Sequence, residues 1–145
     1  MKRLFATLTI LLAAGGFAVA HDADDKAPHD GESVKLIAQH LMSEKLDGEE
    51  ATASVVEVTI APGQEGLAHR HPGPGIVYVI EGTYELGIDD KPTEIFKAGE
   101  SFYEPGGCLH RVSRNPSKTE QTKLVAIVLH PRDAKEVAIP EPKTK

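Results

Sequence analysis

Three histidines offer ligand chemistry in this sequence. His69 and His71 stand one residue apart in "HRHPGPGIVYVIEG" (69–82), and His110 follows a Pro-Gly-Gly corner at Pro105 to Gly107. On a strand, residues i and i+2 share a face. The two imidazoles therefore converge, and Arg70 points the other way. A third imidazole from a neighbouring strand would complete a facial set of neutral nitrogen donors. Such a set suits Zn, Fe, Mn, Ni or Cu, according to geometry and supply. His-x-His alone recurs by chance. Here a Gly-rich turn precedes it and a strand-like run follows it.

Two further residues bear on that chemistry. Glu104 stands just before the Pro-Gly-Gly corner. Facing inward, it would be a replacement carboxylate, a general base, or an acceptor that orients a histidine N–H. The competing reading is a rim glutamate paired with Arg70 or Arg111. Cys108 lies two residues before His110 and shares its face on a regular strand. It is a candidate soft ligand or redox-sensitive neighbour, against the more ordinary use of a small thiol as core filling. As the chain's one cysteine, it forms no intramolecular bridge and is expected to be buried or beside the metal. Tyr78, Tyr84 and Tyr103 read as packing residues, and His40 and His130 as structural or surface ones. No phosphate-cradling glycine loop, nucleophile elbow or Cys-x-x-Cys occurs.

The elements that must position these residues read as short strands. Thr52 to Ile60, Ile76 to Ile80, Thr83 to Ile88, Thr93 to Lys97, Ser101 to Glu104, Cys108 to Val112 and Thr122 to His130 are rich in β-formers. Gly, Pro and Asp turns separate them, as in a sandwich or barrel. Val34 to Leu46 fits a strand or a short helix and is taken as a strand entering the sheet.

The ends read differently. Lys2 and Arg3, the apolar run Leu4 to Val19 and the small residues Ala18 to Ala20 have the three parts of a secretory signal peptide. Residues 1–20 are expected to be cleaved, which makes the protein periplasmic or secreted. Removing that leader takes the formal charge from −6 to −8, since it carries two basic residues and no acid. Nucleic acid and anionic membranes are unsuited partners for such a chain. His21 to Glu32 is acidic and aperiodic, and reads as a mobile arm. Its His21, Asp22, Asp24, Asp25, His29 and Asp30 are at most a weak chelating set. Residues 33–132 form the expected domain, and 133–145 the C-terminal tail, with Val137 to Lys145 expected to be loose.

At this point the chain resembles the cupin family. Gly63, His69, His71 and Gly82 match the first cupin motif, and Gly99, Pro105, Gly107 and His110 match the second, with Asn115 one place late. The resemblance covers about Thr52 to Val128. It implies an all-β, double-stranded β-helix (jelly-roll) barrel with a metal in its mouth, held by His69, His71 and His110. The motif glutamate that would join them falls at Gly75, a clear departure. Three neutral imidazoles leave the ion its full charge, which weakens its retention and favours anionic, chelating ligands. The function implied is that of an exported small metal-binding cupin, of dioxygenase type on a small chelating substrate, with Glu104 as a candidate base. A non-catalytic module that binds or senses a metal or small ligand, and a structural barrel with a vestigial pocket, are the alternatives. A small molecule is the expected partner, and a homodimer through sheet edges is a candidate assembly.

Overall fold

The computed structural model describes residues 31–142. The leader at 1–20 and the six chelating candidates of the acidic arm lie outside the described residues. Ten strands run in chain order: β1 (Glu32–Leu46), β2 (Glu49–Ile60), β3 (His69–Arg70), β4 (Gly75–Glu81), β5 (Thr83–Ile88), β6 (Glu94–Lys97), β7 (Ser101–Glu104), β8 (Leu109–Arg114), β9 (Thr122–Pro131) and β10 (Ile139–Pro140). Among the described residues there is no helix.

The strands form two antiparallel five-stranded sheets, ordered β1-β2-β9-β4-β7 and β10-β3-β8-β5-β6. The chain crosses between sheets after β2, β3, β4, β6, β7, β8 and β9, and only two hairpins, β1–β2 and β5–β6, stay within one sheet. That is the wiring of the expected jelly-roll, a double-stranded β-helix.

Alternation drives the packing. In β4, "GIVYVIE", Val77 and Val79 point inward and are buried while Ile76, Tyr78 and Ile80 point out. β9 does the same with Leu124, Ala126 and Val128. These meet Ile60, Tyr84 and Leu86 between the sheets, with Phe96 and Phe102 packed against them. Each fully buried Val or Leu contributes roughly 1.5–3 kcal/mol over leaving it in water. Val34 to Leu46 is a strand throughout. It pairs along its length with β2, with slips between Leu36 and Ala38 and between Leu41 and Lys45.

One motif glycine is required by the turn it makes. Gly82, between β4 and β5, has φ +74°, and a Cβ there would stand 2.3 Å from the Gln121 carbonyl oxygen. A positive φ and a close backbone neighbour both exclude a side chain.

The expectation of a loose C-terminal stretch is corrected for its described residues. Ile139 and Pro140 pair with Arg70 and His69 as β10, and the Glu141 amide bonds to the Ala68 carbonyl. Two-residue strands carry no periodicity, so β10 was not visible in the sequence, and β3 was read as a strand only from its His-x-His spacing, with His71 lying just past its end.

Candidate metal centre

The histidines come together where β3 meets β8. His69 and His110 are direct cross-strand partners, and His71 follows one residue beyond the end of β3. The three rings stand 4.8 to 4.9 Å apart, centroid to centroid. Their donor nitrogens lie within 4.8 Å of one another. His110 is buried and the other two are half-buried.

Backbone carbonyls set two of the rings. His69 Nδ1 lies 2.8 Å from the Leu67 carbonyl oxygen, and His71 Nδ1 lies 2.6 Å from that of Val137. A carbonyl only accepts, so each Nδ1 carries the hydrogen and donates it. The lone pair of each ring is thereby left on Nε2, the arrangement a metal-binding imidazole needs.

Burial keeps these rings neutral. Loss of solvation lowers His110 to about 3, with the neighbouring His69 and His71 adding to the fall. Desolvation likewise takes His71 down to about 4, against the opposing pull of its Val137 bond. His69 is lowered for the same first reason, again opposed by its carbonyl partner. Three unprotonated imidazoles near neutral pH are the form that binds a metal without proton release.

Glu104 faces the same space from the other sheet. It ends β7, is 3% exposed and pairs across the strands with Gly75 of β4. Its Oε1 stands 3.6 Å from His110 Nδ1 and its Oε2 3.8 Å from His71 Nε2. Burial pushes the carboxyl up to about 8. The rim alternative is not adopted. Arg70 bonds to Glu141 and the Gly107 carbonyl, and Arg111 to the carbonyls of Asp89 and Lys91.

Among the described residues, two buried side-chain atoms have no hydrogen-bond partner, Glu104 Oε2 and His110 Nε2. Both belong to side chains at this point, and unpartnered polar atoms in a protein interior are costly. A divalent cation is the partner that nitrogen lone pairs and a carboxylate oxygen share, so the residues present fit a metal.

Cys108 is buried but stands outside the group of donors. Its thiol is raised by burial first, then by the charges of Asp89 and Glu104. This is the setting of core filling rather than of a reactive thiolate. Tyr84 is core, its hydroxyl 2.7 Å from Ser113 Oγ, whereas Tyr78 and Tyr103 are exposed. His40 is exposed, and His130 is buried, bonded through Nε2 to Ser54 Oγ at 2.8 Å, a structural contact. Asn115, the displaced motif residue, is also buried and donates to the carbonyls of Ile60, Ala61 and Glu120, tying the β8–β9 loop to the end of β2. Sequence reading missed the Leu67 and Val137 carbonyls, because every residue has a carbonyl and none announces its use.

A cleft of about 310 Å³ is lined by Leu86, Ile88, Phe96 and Phe102 with Lys91 and Glu94. Phe102 and Glu104 share the inner face of β7.

The family model described as "Cupin domain" matches residues 56–128. Among solved structures, an uncharacterized conserved protein with a double-stranded beta-helix domain from Klebsiella pneumoniae superposes with a TM-score of 0.59 at 20% identity, over 80% of this chain and 90% of that one. The DMSP lyase DddQ from Ruegeria pomeroyi superposes with a TM-score of 0.59 at 15% identity, over 84% of this chain and 59% of the lyase. An oxalate oxidase in complex with the substrate analogue glycolate reaches 0.52 at 26% identity, over 72% of this chain and 54% of the oxidase. The chain thus spans under two thirds of both enzymes. No curated protein sequence matches it. Motif spacing, barrel wiring and family match agree, and the chain belongs to the cupin family.

Proposed function

We propose that this protein is an exported cupin with one divalent transition metal held by His69, His71 and His110, and that it acts as a dioxygenase-type oxidoreductase on a small chelating acid. The observation that carries the reading is the convergence of three buried or half-buried imidazoles, two of them with Nε2 left free by carbonyl bonds at Nδ1. The ion would be Fe, Mn, Zn, Ni or Cu, and when bound it supplies a Lewis acid and, for a redox-active ion, a site for O₂. The protein's own contribution is orientation. Leu67 and Val137 hold two rings in the ligating tautomer. Support for a small bidentate anion comes from the oxalate oxidase neighbour, which was solved with glycolate. Export rests on Lys2, Arg3 and the apolar run that follows. A second copy paired along β1 is supported by the exposed Val34, Leu36, Ile37 and Leu41 on that edge strand.

The test is elemental analysis of protein purified from its exported compartment, followed by O₂ uptake with a panel of 2-hydroxy acids, dicarboxylates, diketones and phenols. Stoichiometric redox metal with metal-dependent O₂ uptake on one class supports the reading. Metal bound with no uptake on any class leaves a binding module instead. Protein that takes up no divalent ion at all ends the metal-centred account.

A further inference from the structure

We propose that Glu104 is the fourth protein ligand of this centre, so that the carboxylate missing at Gly75 is supplied from the opposite strand. The proposal rests on the metal-binding reading above. Gly75 of β4 and Glu104 of β7 are direct cross-strand partners. A Cβ built on Gly75 would stand 2.7 Å from Glu104 Oε2. The two positions therefore compete for one volume. A side chain at 75 would displace the Glu104 carboxylate from where it stands, and the glycine leaves that space to the side chain from β7.

Distances separate ligation from an orienting role. Oε1 is 3.6 Å from His110 Nδ1, beyond the ~3.2 Å reach of an N–H···O bond. Glu104 therefore does not orient that ring by hydrogen bonding. Its Oε2 is 3.8 Å from His71 Nε2 and has no hydrogen-bond partner. Ligands about 2.1 Å from a shared tetrahedral ion stand ~3.4 Å apart; the Oε2–His71 Nε2 distance is near that value, whereas Glu104 stands outside the group of three histidine donors within 4.8 Å of one another, so ligation requires its side chain to turn further toward His69. Arg70 and Arg111, the nearby cations in sequence, are engaged elsewhere. With Glu104 bound, the site has three nitrogens and one oxygen, and the ion's charge is reduced from +2 to +1. The centre then suits a monoanionic chelating substrate rather than a dianion.

The experiment uses the full-length protein, stripped with a chelator and reloaded with Mn(II). Affinity is measured by chelator competition, and inner-sphere waters are counted from ¹⁷O-water broadening of the Mn(II) resonance. Glu104→Ala is expected to weaken Mn(II) by more than about 100-fold, beyond the ~10–100-fold that loss of an outer hydrogen-bond partner costs, and to add one bound water. Gly75→Glu combined with Glu104→Gly is expected to restore affinity to within about tenfold of wild type and to remove that water. Thermal unfolding checks that each variant is folded, and should the double variant not fold, Glu104→Ala decides alone. Wild-type affinity and water count in Glu104→Ala overturn the proposal, as does weakened affinity with no added water. A wild-type chain that binds no Mn(II), Fe(II) or Zn(II) overturns both this proposal and the metal-binding reading. Wild-type binding with an indifferent Glu104→Ala overturns this one only.

Discussion

The imidazole of His110 is buried, unprotonated near neutral pH and without a hydrogen-bond partner at Nε2. Its substitution by Ala should abolish stoichiometric metal uptake, measured by elemental analysis of the folded variant, while leaving the barrel's circular dichroism unchanged. Glu104 behaves differently in the metal-free protein. Its carboxyl is raised from an ordinary 4.5 to about 8, so near pH 7 the folded state holds a proton that the unfolded chain releases. That difference opposes folding. Glu104→Gln is therefore expected to stabilise the metal-free protein, by on the order of 2 kcal/mol at pH 7, and to weaken the metal-loaded one. Denaturant melts with and without metal give the two signs. Unchanged stability in the metal-free form would contradict the burial assigned to this carboxyl. The three histidines were legible in the sequence because motif spacing encodes them locally. Glu104's facing of Gly75 was not, since it depends on the register of β4 against β7, a long-range pairing that no local pattern records.

At the scale of elements, β4 and β9 were readable because both alternate apolar and polar residues over their length. β10 was not, being two residues long, and β3 was read only through its His-x-His spacing, yet their pairing holds the first motif in place. Val137, just before β10, accepts from His71 Nδ1. A chain ending at Glu136 loses that acceptor and the β10 pairing together. It should bind metal about 10–100-fold more weakly and keep its cooperative unfolding transition, because β10 is a two-residue edge strand paired only with β3. Equal affinity in the truncated and full-length proteins, by chelator competition, would remove the carbonyl from the account. In the core, Val79→Ala empties space between the sheets and should cost about 2 kcal/mol, read from a urea melt, with metal stoichiometry unchanged.

For the whole molecule the site imposes a pH optimum on the metal-free fold. His71 and His110 are lowered from an ordinary 6.5 to about 4 and about 3. Below pH 6.5 the unfolded chain therefore binds more protons than the folded one, and stability falls as pH drops through those values. Glu104 acts with the opposite sign. Its contribution is present below 4.5 and is lost as pH rises through about 8. The two limbs meet near pH 6.5, with slopes of about 1.4 kcal/mol per unit from each unbalanced group. Metal binding should flatten the alkaline limb, because an ionised Glu104 then has a cation to face. Thermal melts of chelated and loaded protein from pH 5 to 9 give both curves. Coincident curves would mean that metal and carboxylate do not interact. An all-β sandwich or barrel was legible from strand count and turn chemistry, and the jelly-roll from the match to the two cupin motifs. The engagement of the C-terminal stretch was not, since only the closed barrel brings Val137 and Ile139 to the first motif.

X-ray absorption at the edge of the bound metal tests the central claim most directly, because imidazole rings leave a multiple-scattering signature that counts them. Loaded, full-length protein should show three imidazoles in a nitrogen and oxygen shell, falling to two in His110→Ala wherever metal is retained. A shell with fewer than three imidazoles in the wild type, or one unaltered by loss of His110, would contradict it.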